Sequence, residues 1–162
     1  MPTIINTNTN MDPIIFKAYD IRGRYPKEIN EEVVAKIARE VRGRLGGGKI
    51  VVGHDARLSS PALYKSVLQS LKIKKFLPAH AYRQAGGRQV KFKIEAVGLA
   101  TTPMLYFLVN KLKAAGGIMI TASHNPKEFN GLKIAGRGAA PISGAEIKKW
   151  FPLEVAPSQN HF

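Results

Sequence analysis

Apolar residues recur along the chain with two different spacings, which predict helices alternating with strands. From Val33 to Leu45 they recur at helical spacing, after Asn30 and two acidic residues. Asparagine is a favoured N-cap and a glycine run beginning at Gly46 suits a helix end, so this segment is predicted to be helical. Further helices are predicted at Ser60–Leu71, at Met104–Leu112 and from the capping box Ser143–Glu146 onward.

Short apolar runs predict the strands. They are Pro13–Tyr19, Lys49–Gly53, Val90–Val97 and Ile118–Thr121. Strands and helices that alternate through short connections are typical of βαβ units, in which helices cover both faces of a sheet. The fold class is therefore predicted to be α/β, a three-layer αβα arrangement with a mixed, mostly parallel sheet.

The length of 162 residues is that of a single domain with a sizeable core. We expect this domain to span 13–150, with a disordered N-terminal extension at 1–12 and an irregular tail at 151–162. Residues 74–89 are basic and lack a clear hydrophobic period, so they are predicted to be an insertion or loop.

Cysteine content and hydropathy exclude several classes of protein. The chain has no cysteine, which excludes disulfides and thiol catalysis. No apolar run approaches the length of a transmembrane helix, and residues 1–10 are polar without a basic n-region. We therefore expect a cytoplasmic protein without a membrane partner.

The charge of the chain is strongly positive. Its 25 lysines and arginines against 11 acidic residues give a net charge of +14, and no acidic residue lies between Asp55 and Glu95. Such a field attracts anions, whether sugar phosphates, nucleic acid or an acidic protein. Because charge runs usually form a solvated surface, the charge alone does not choose among these partners.

Polar clusters lie at the ends of the predicted strands, at Tyr19–Gly23, Gly53–Arg57, Ala100–Pro103 and Thr121–Lys133. Because the carboxyl ends of parallel strands share one edge of a sheet, the clusters are expected to converge there. Ser123 follows a buried strand and is flanked by a histidine and an Asn-Pro turn, which makes it a candidate nucleophile or phosphate carrier. Asp55 is expected to orient Arg57 or a loop amide, because a carboxylate would repel phosphate.

These clusters carry a family resemblance. They are Phe16-Lys17-Ala18-Tyr19-Asp20-Ile21-Arg22-Gly23, Gly53-His54-Asp55-Ala56-Arg57-Leu58-Ser59, Thr101-Thr102-Pro103, and Thr121-Ala122-Ser123-His124-Asn125-Pro126 followed by Phe129-Asn130-Gly131-Leu132-Lys133. In this order they resemble the amino-terminal domain of the α-D-phosphohexomutases, particularly the phosphomannomutase/phosphoglucomutase branch. The similarity runs from about Pro13 to Ile147.

The resemblance implies a phosphoserine enzyme. Ser123 would carry a phosphoryl group, pass it to a hexose phosphate and recover another from the hexose 1,6-bisphosphate, which serves as activator. The implied catalytic residues are Ser123, His124, Arg22 and Lys133. The implied substrate or phosphate ligands are Tyr19, Arg57 and Asn125. Mg²⁺ is the implied cofactor, bound through the phosphoserine at Ser123.

The chain departs from the family by covering only the first of its four domains. It has no Asp-rich loop to complete the metal site, and Mg²⁺ prefers near-octahedral oxygen ligation that one serine does not supply. We therefore expect the chain to be inactive without the missing domains or a partner chain. Two alternatives stay open: a basic module that binds nucleic acid or an acidic partner, with nucleic acid the less favoured, and a non-catalytic remnant that docks on a mutase.

Overall fold

A computed structural model of the protein describes residues 11–73 and 90–151. The six strands of this part are β1 Ile21–Arg24, β2 Gly48–His54, β3 Phe92–Leu99, β4 Gly116–Ile120, β5 Phe129–Ala135 and β6 Pro141–Ile142. Its four α-helices are α1 Glu31–Leu45, α2 Ser60–Lys72, α3 Thr102–Lys111 and α4 Gly144–Lys148. Short 3-10 helices occupy Pro13–Ile15 and Arg137–Ala139.

The predicted boundaries of the domain change at both ends. Met11 is buried in the core and the side chain of Asp12 caps the first 3-10 helix, so both belong to the domain rather than to an extension. Phe151 packs against Phe16 with ring centroids 6.0 Å apart, so it too belongs to the domain rather than to the tail. The rest of the predicted extension and tail, and the predicted insertion at 74–89, lie outside the described residues.

The predicted helices are present, and side-chain caps mark the starts of α1, α3 and α4. The Asn30 side chain accepts a hydrogen bond of 3.0 Å from the Val33 amide at the start of α1, and Gly46 ends this helix in the left-handed conformation. The hydroxyl of Thr101 accepts from the Met104 amide at the start of α3. Each cap satisfies a backbone group that the helix leaves without a partner.

The sheet has the strand order β1-β5-β4-β2-β3, with β6 on β5. Strand β2 pairs in parallel with β3 and with β4, whereas β5 pairs antiparallel with β1, β4 and β6. The α/β class and the mixed sheet are confirmed. Parallel pairing is confined to three strands, so the sheet is less parallel than predicted.

Helices cover both faces of the sheet, which confirms the three αβα layers. On one face, helices α1 and α2 bury Ile118 and Ile120 of β4 in the larger core cluster. On the other face, Met119 of β4 packs with Leu105 and Val109 of α3. This alternation is what a strand buried on both faces requires. Among the described residues, no helix is both long and apolar enough to cross a membrane.

The prediction of a first strand at Pro13–Tyr19 is wrong. The Asp12 side chain accepts from the Ile14 amide at 2.9 Å and Pro13 follows it, a combination that starts a 3-10 turn. Phe16 keeps one isolated bridge to Ile21, and the strand proper is β1. The cluster that contains Arg22 therefore lies before and within β1, not after a strand.

Strand β5 places the polar clusters side by side. It was not predicted, because Asn130, Gly131 and Lys133 interrupt its apolar pattern. Its register sets Arg22 of β1 opposite Gly131, and Lys133 opposite Met119 of β4. Because β5 runs antiparallel to both β4 and β1, it places β1 near the carboxyl end of β4.

Gly131 is required by the close approach of β1. A Cβ at this position would overlap the carbonyl oxygen of Ile21. Because overpacking against backbone costs about 1–3 kcal/mol or more, we expect Gly131→Ala to lower the free energy of unfolding by about 3 kcal/mol in urea denaturation.

The matched control for this prediction is Gly136→Ala, because the nearest atom to a Cβ there is 3.7 Å away, an ordinary contact. That variant should change the free energy of unfolding by less than about 0.5 kcal/mol. Equal losses in the two variants would contradict the packing described here.

Candidate active site

The loop that carries Ser123 begins where β4 ends and leads back into β5. The Thr121 amide donates to Gly131 O at 3.0 Å, the last rung before the two strands part. The Ser123 amide donates to Thr121 Oγ1 at 2.9 Å, and the Asn125 amide donates to Ala122 O at 3.0 Å. Ser123 is exposed and has a φ of 51°, in the left-handed region that non-glycine residues seldom adopt.

Arg57 lies under this loop. Its Nη1 donates to Pro126 O at 2.7 Å and to Phe129 O at 3.0 Å. Its Nη2 donates to Ser123 O at 2.8 Å and to Asn125 O at 2.7 Å. The family resemblance implies that Arg57 is a substrate or phosphate ligand, but in the structure all four N–H groups of its terminal nitrogens already have carbonyl acceptors. Phosphate binding by Arg57 would require it to release the loop.

Asp55 holds the backbone and the side chain of Arg57. Its Oδ1 accepts from the Arg57 amide at 3.0 Å and from the Ser60 hydroxyl at 2.6 Å, and its Oδ2 lies 3.3 Å from Arg57 Nε. The predicted role of Asp55 in orienting Arg57 is therefore confirmed. The fully buried Asn130 donates to the Ser59 and Ser60 hydroxyls at 2.8 and 3.0 Å, which ties the start of β5 to the start of α2.

A second cluster joins β1 to β5. Asp20 is 4% exposed, and its Oδ2 accepts from Arg22 Nε at 2.9 Å, from Arg22 Nη2 at 2.7 Å and from Lys133 Nζ at 2.8 Å. The remaining terminal nitrogen of Arg22, Nη1, donates to Asn125 Oδ1 on the serine loop. The structure thus brings together three of the predicted site residues, Arg22, Lys133 and Asn125.

Asp20 is the member of this cluster that sequence reasoning did not single out. One carboxylate against two cations leaves the cluster with a net charge of +1. Its position beside Arg22 in the Tyr19–Gly23 cluster was the available signal, but its contact with Lys133 spans 113 positions of the chain. Opposite charge and hydrogen bonding offset the cost of burying the three groups.

His124 and Tyr19 stand apart from both clusters. His124 is exposed beside Ser123, and Tyr19 is 85% exposed at the rim. Neither side chain takes part in the hydrogen bonds of the described residues. Their predicted roles in catalysis and substrate binding stay predictions.

An open cleft of about 430 Å³ lies beside Ser123. It is bounded by the ends of β2 and β4 and by the start of α3. Its lining includes Asp55, Leu99, Thr101, Met104, Met119, Thr121 and Ser123. The cleft lies at the carboxyl edge of the parallel strands, where α/β folds bind their ligands.

The described residues do not fit a magnesium site. Across 11–73 and 90–151, no group of three or more His, Asp or Glu side chains could hold a metal ion. The nearest carboxylates, Asp55 and Asp20, are engaged by Arg57 and by Arg22 with Lys133. Mg²⁺ usually needs carboxylate ligands in addition to a phosphate oxygen.

A sequence model of one protein family matches most of the chain. It is described as phosphoglucomutase/phosphomannomutase, alpha/beta/alpha domain I, and matches residues 13–76 and 81–150. The chain belongs to this family. The resemblance stated from the four polar clusters is confirmed.

Two relatives and one solved structure show how much of the family's length the chain represents. The chain is 44% identical over 128 residues to the phosphohexose mutases of Xanthomonas campestris pv. campestris and 40% identical over 129 residues to a phosphomannomutase of Escherichia coli. These alignments cover 79% and 80% of the chain but 25% of each relative. The structure of a phosphoglucomutase/phosphomannomutase family protein from Burkholderia thailandensis aligns with a TM-score of 0.69 and 32% identity, over 86% of this chain and 29% of that one.

The charge cluster makes a prediction about stability. Asp20→Asn removes the charge that compensates Arg22 and Lys133, whose side chains are 16% and 22% exposed. Because both cations keep some contact with water, the loss should be smaller than for a fully buried pair, about 2 kcal/mol in urea denaturation.

Glu146→Gln is the matched control, because Glu146 pairs with Lys149 at 3.4 Å on the surface, where the two side chains are 52% and 74% exposed. This variant should change the free energy of unfolding by less than about 0.5 kcal/mol. If Asp20→Asn changes the free energy of unfolding by an equally small amount, the cluster does not stabilise the fold.

Proposed function

We propose that this chain is the phosphoserine-carrying amino-terminal domain of a phosphohexomutase, with Ser123 as the residue that carries the phosphoryl group. The observation that supports this best is the exposure of Ser123 on the family's loop, beside an open cleft at the end of β4. A phosphoryl carrier needs a hydroxyl that a substrate can reach and a backbone that holds it in place.

The proposed reaction is phosphoryl transfer on a hexose phosphate. A sugar hydroxyl oxygen attacks the phosphorus of phosphoserine 123, the bond from phosphorus to Ser123 Oγ breaks, and the hydroxyl proton passes to a base. The resulting hexose 1,6-bisphosphate returns its other phosphoryl group to Ser123 Oγ. The exposed imidazole of His124 is adjacent to Ser123 and is our candidate for the proton acceptor.

Arg22 and Lys133 are the proposed sources of positive charge. Phosphoryl transfer depends mainly on positioning and on neutralising the charge of the moving group. Arg22 contacts the serine loop through Asn125, and Asp20 holds Arg22 and Lys133 together. Because one carboxylate compensates only one of the two cations, the cluster keeps a net positive charge for a phosphoryl group.

We propose that the complete reaction requires more than this chain. The chain spans about a quarter of the relatives described above, and its described residues do not form a metal site. Recognition of the sugar and ligation of Mg²⁺ are therefore assigned to other domains of the enzyme or to a partner chain. A cytoplasmic location is part of this proposal, since hexose phosphates are cytoplasmic metabolites.

A second candidate function, binding of single-stranded nucleic acid, has less support. It would depend on the basic stretch between Asp55 and Glu95. Its aromatic residues would have to be free to stack on bases. Phe92 packs against the core and lies 4.7 Å from the Arg42 guanidinium, and Lys93 pairs with Glu95 at 3.0 Å. Tyr64 of the same stretch also packs against the core, and its hydroxyl accepts from the Gly98 amide at 3.0 Å. Phe76 and Tyr82 lie outside the described part of the chain.

The proposal predicts the site of phosphorylation. Incubation with glucose 1,6-bisphosphate together with the remaining three quarters of the Xanthomonas campestris relative should label Ser123, as mapped by mass spectrometry. The label should be lost in Ser123→Ala.

A label on another serine, with Ser123 unmodified, would contradict the proposed function. Ser66→Ala is the matched control, because the Ser66 hydroxyl donates to Glu31 O at 2.7 Å, far from the serine loop. This variant should be labelled at Ser123 like the original chain.

A further inference from the structure

We infer that Arg57 is a positioning residue, which holds the Ser123 loop in shape through its carbonyl groups and does not bind phosphate. The inference rests on the proposed function of Ser123, because positioning matters only if that hydroxyl has a task. It replaces the expectation, drawn from the family resemblance, that Arg57 is a substrate or phosphate ligand.

Several acceptors converge on the Arg57 guanidinium. Four carbonyl oxygens of the loop accept from its two terminal nitrogens at 2.7–3.0 Å, those of Ser123, Asn125, Pro126 and Phe129. These bonds span the loop from the carrier serine to the first residue of β5. Charge-assisted hydrogen bonds are about twice as strong as neutral ones, so Arg57 fixes the path of the whole segment.

The Arg57 side chain is itself held in place. Its Nε lies 3.3 Å from Asp55 Oδ2, and Asp55 is anchored by the hydroxyl of Ser60. The side chain is 13% exposed. The guanidinium is planar, is oriented by a carboxylate and donates to carbonyl groups. It therefore fixes the loop and is not a mobile ligand for a substrate.

The backbone of Ser123 is in a conformation that its surroundings must impose. Its φ of 51° costs of order 1 kcal/mol or more for a residue other than glycine, and such conformations persist only where the surroundings impose them. Asparagine or glycine would adopt it more readily, but a phosphoryl carrier needs the serine hydroxyl. The bond from Arg57 Nη2 to Ser123 O acts on this same residue and offsets the cost.

The test compares Arg57→Lys with the original chain by hydrogen exchange and phosphate titration. Lysine keeps the charge but offers one nitrogen, which cannot serve four carbonyl groups. The Ser123, Asn125 and Phe129 amides, which bond within the loop, should exchange about tenfold faster or more, while those of β2 and β4 are unchanged. The concentration of inorganic phosphate that half-saturates chemical-shift changes should be the same in both proteins.

The matched control is Arg137→Lys, since Arg137 is exposed on the 3-10 turn that follows β5, at the opposite edge of the sheet. The amides of the Ser123 loop should exchange at the same rate in this variant as in the original chain. Unchanged loop exchange in Arg57→Lys together with weaker phosphate binding would overturn the inference and restore Arg57 as an anion ligand. Unchanged exchange with unchanged phosphate binding would overturn it as well.

A measurement on the original chain covers the case in which the variant does not fold. The Arg57 Nη protons should give separate, slowly exchanging NMR signals, because all four are held by carbonyl groups. Averaged, fast-exchanging signals would overturn the inference. None of these readouts requires phosphoryl transfer, so a failure of Ser123 labelling and a failure of this inference are distinguishable.

Discussion

The structure of the site depends on a buried carboxylate shared by two cations. Asp20 precedes β1, Arg22 lies on β1 and Lys133 lies on β5, so the cluster joins two strands that are distant along the chain. Because Arg22 also contacts Asn125, the same interaction connects this strand pair to the serine loop. The cations are thereby kept at the edge of the sheet instead of extending into solvent, where their positions would vary.

Two arginine side chains hold the serine loop, one through its backbone and one through a side chain. Arg57 approaches from the end of β2 and binds backbone carbonyl groups, whereas Arg22 approaches from β1 and binds the Asn125 side chain. Both arginines are oriented by a nearby aspartate, Asp55 or Asp20. Ser123 itself remains exposed. The arrangement combines a fixed backbone with an exposed serine, which is what the proposed phosphoryl transfer requires.

The helices could be predicted from local signals in the sequence. The strands β1 and β5 and the contacts of the site could not, because they depend on pairing between distant parts of the chain. The cap at Asn30 acts within one turn, so it is visible in a short window. Strand β5 is polar at two positions for different reasons. Asn130 donates to Ser59 at the start of α2, and Lys133 donates to Asp20 in the charge cluster. The family motifs predicted Ser123, Arg22 and Lys133 as site residues. The contact of Asp20 with both cations and the bonds of Arg57 to the loop are visible only in the fold.

We propose that Ser123 lies within the field of the Arg22 and Lys133 cations. The most direct test is a ³¹P NMR titration of the chain with phosphoserine installed at 123, against a peptide of residues 121–129 that carries the same phosphoserine. Nearby cations favour the doubly charged phosphate, so the account predicts a lower phosphoserine pKa in the folded chain than in the peptide. The peptide retains His124 and Lys127, so any lowering comes from residues that the fold supplies. An equal pKa in the two molecules would contradict the account.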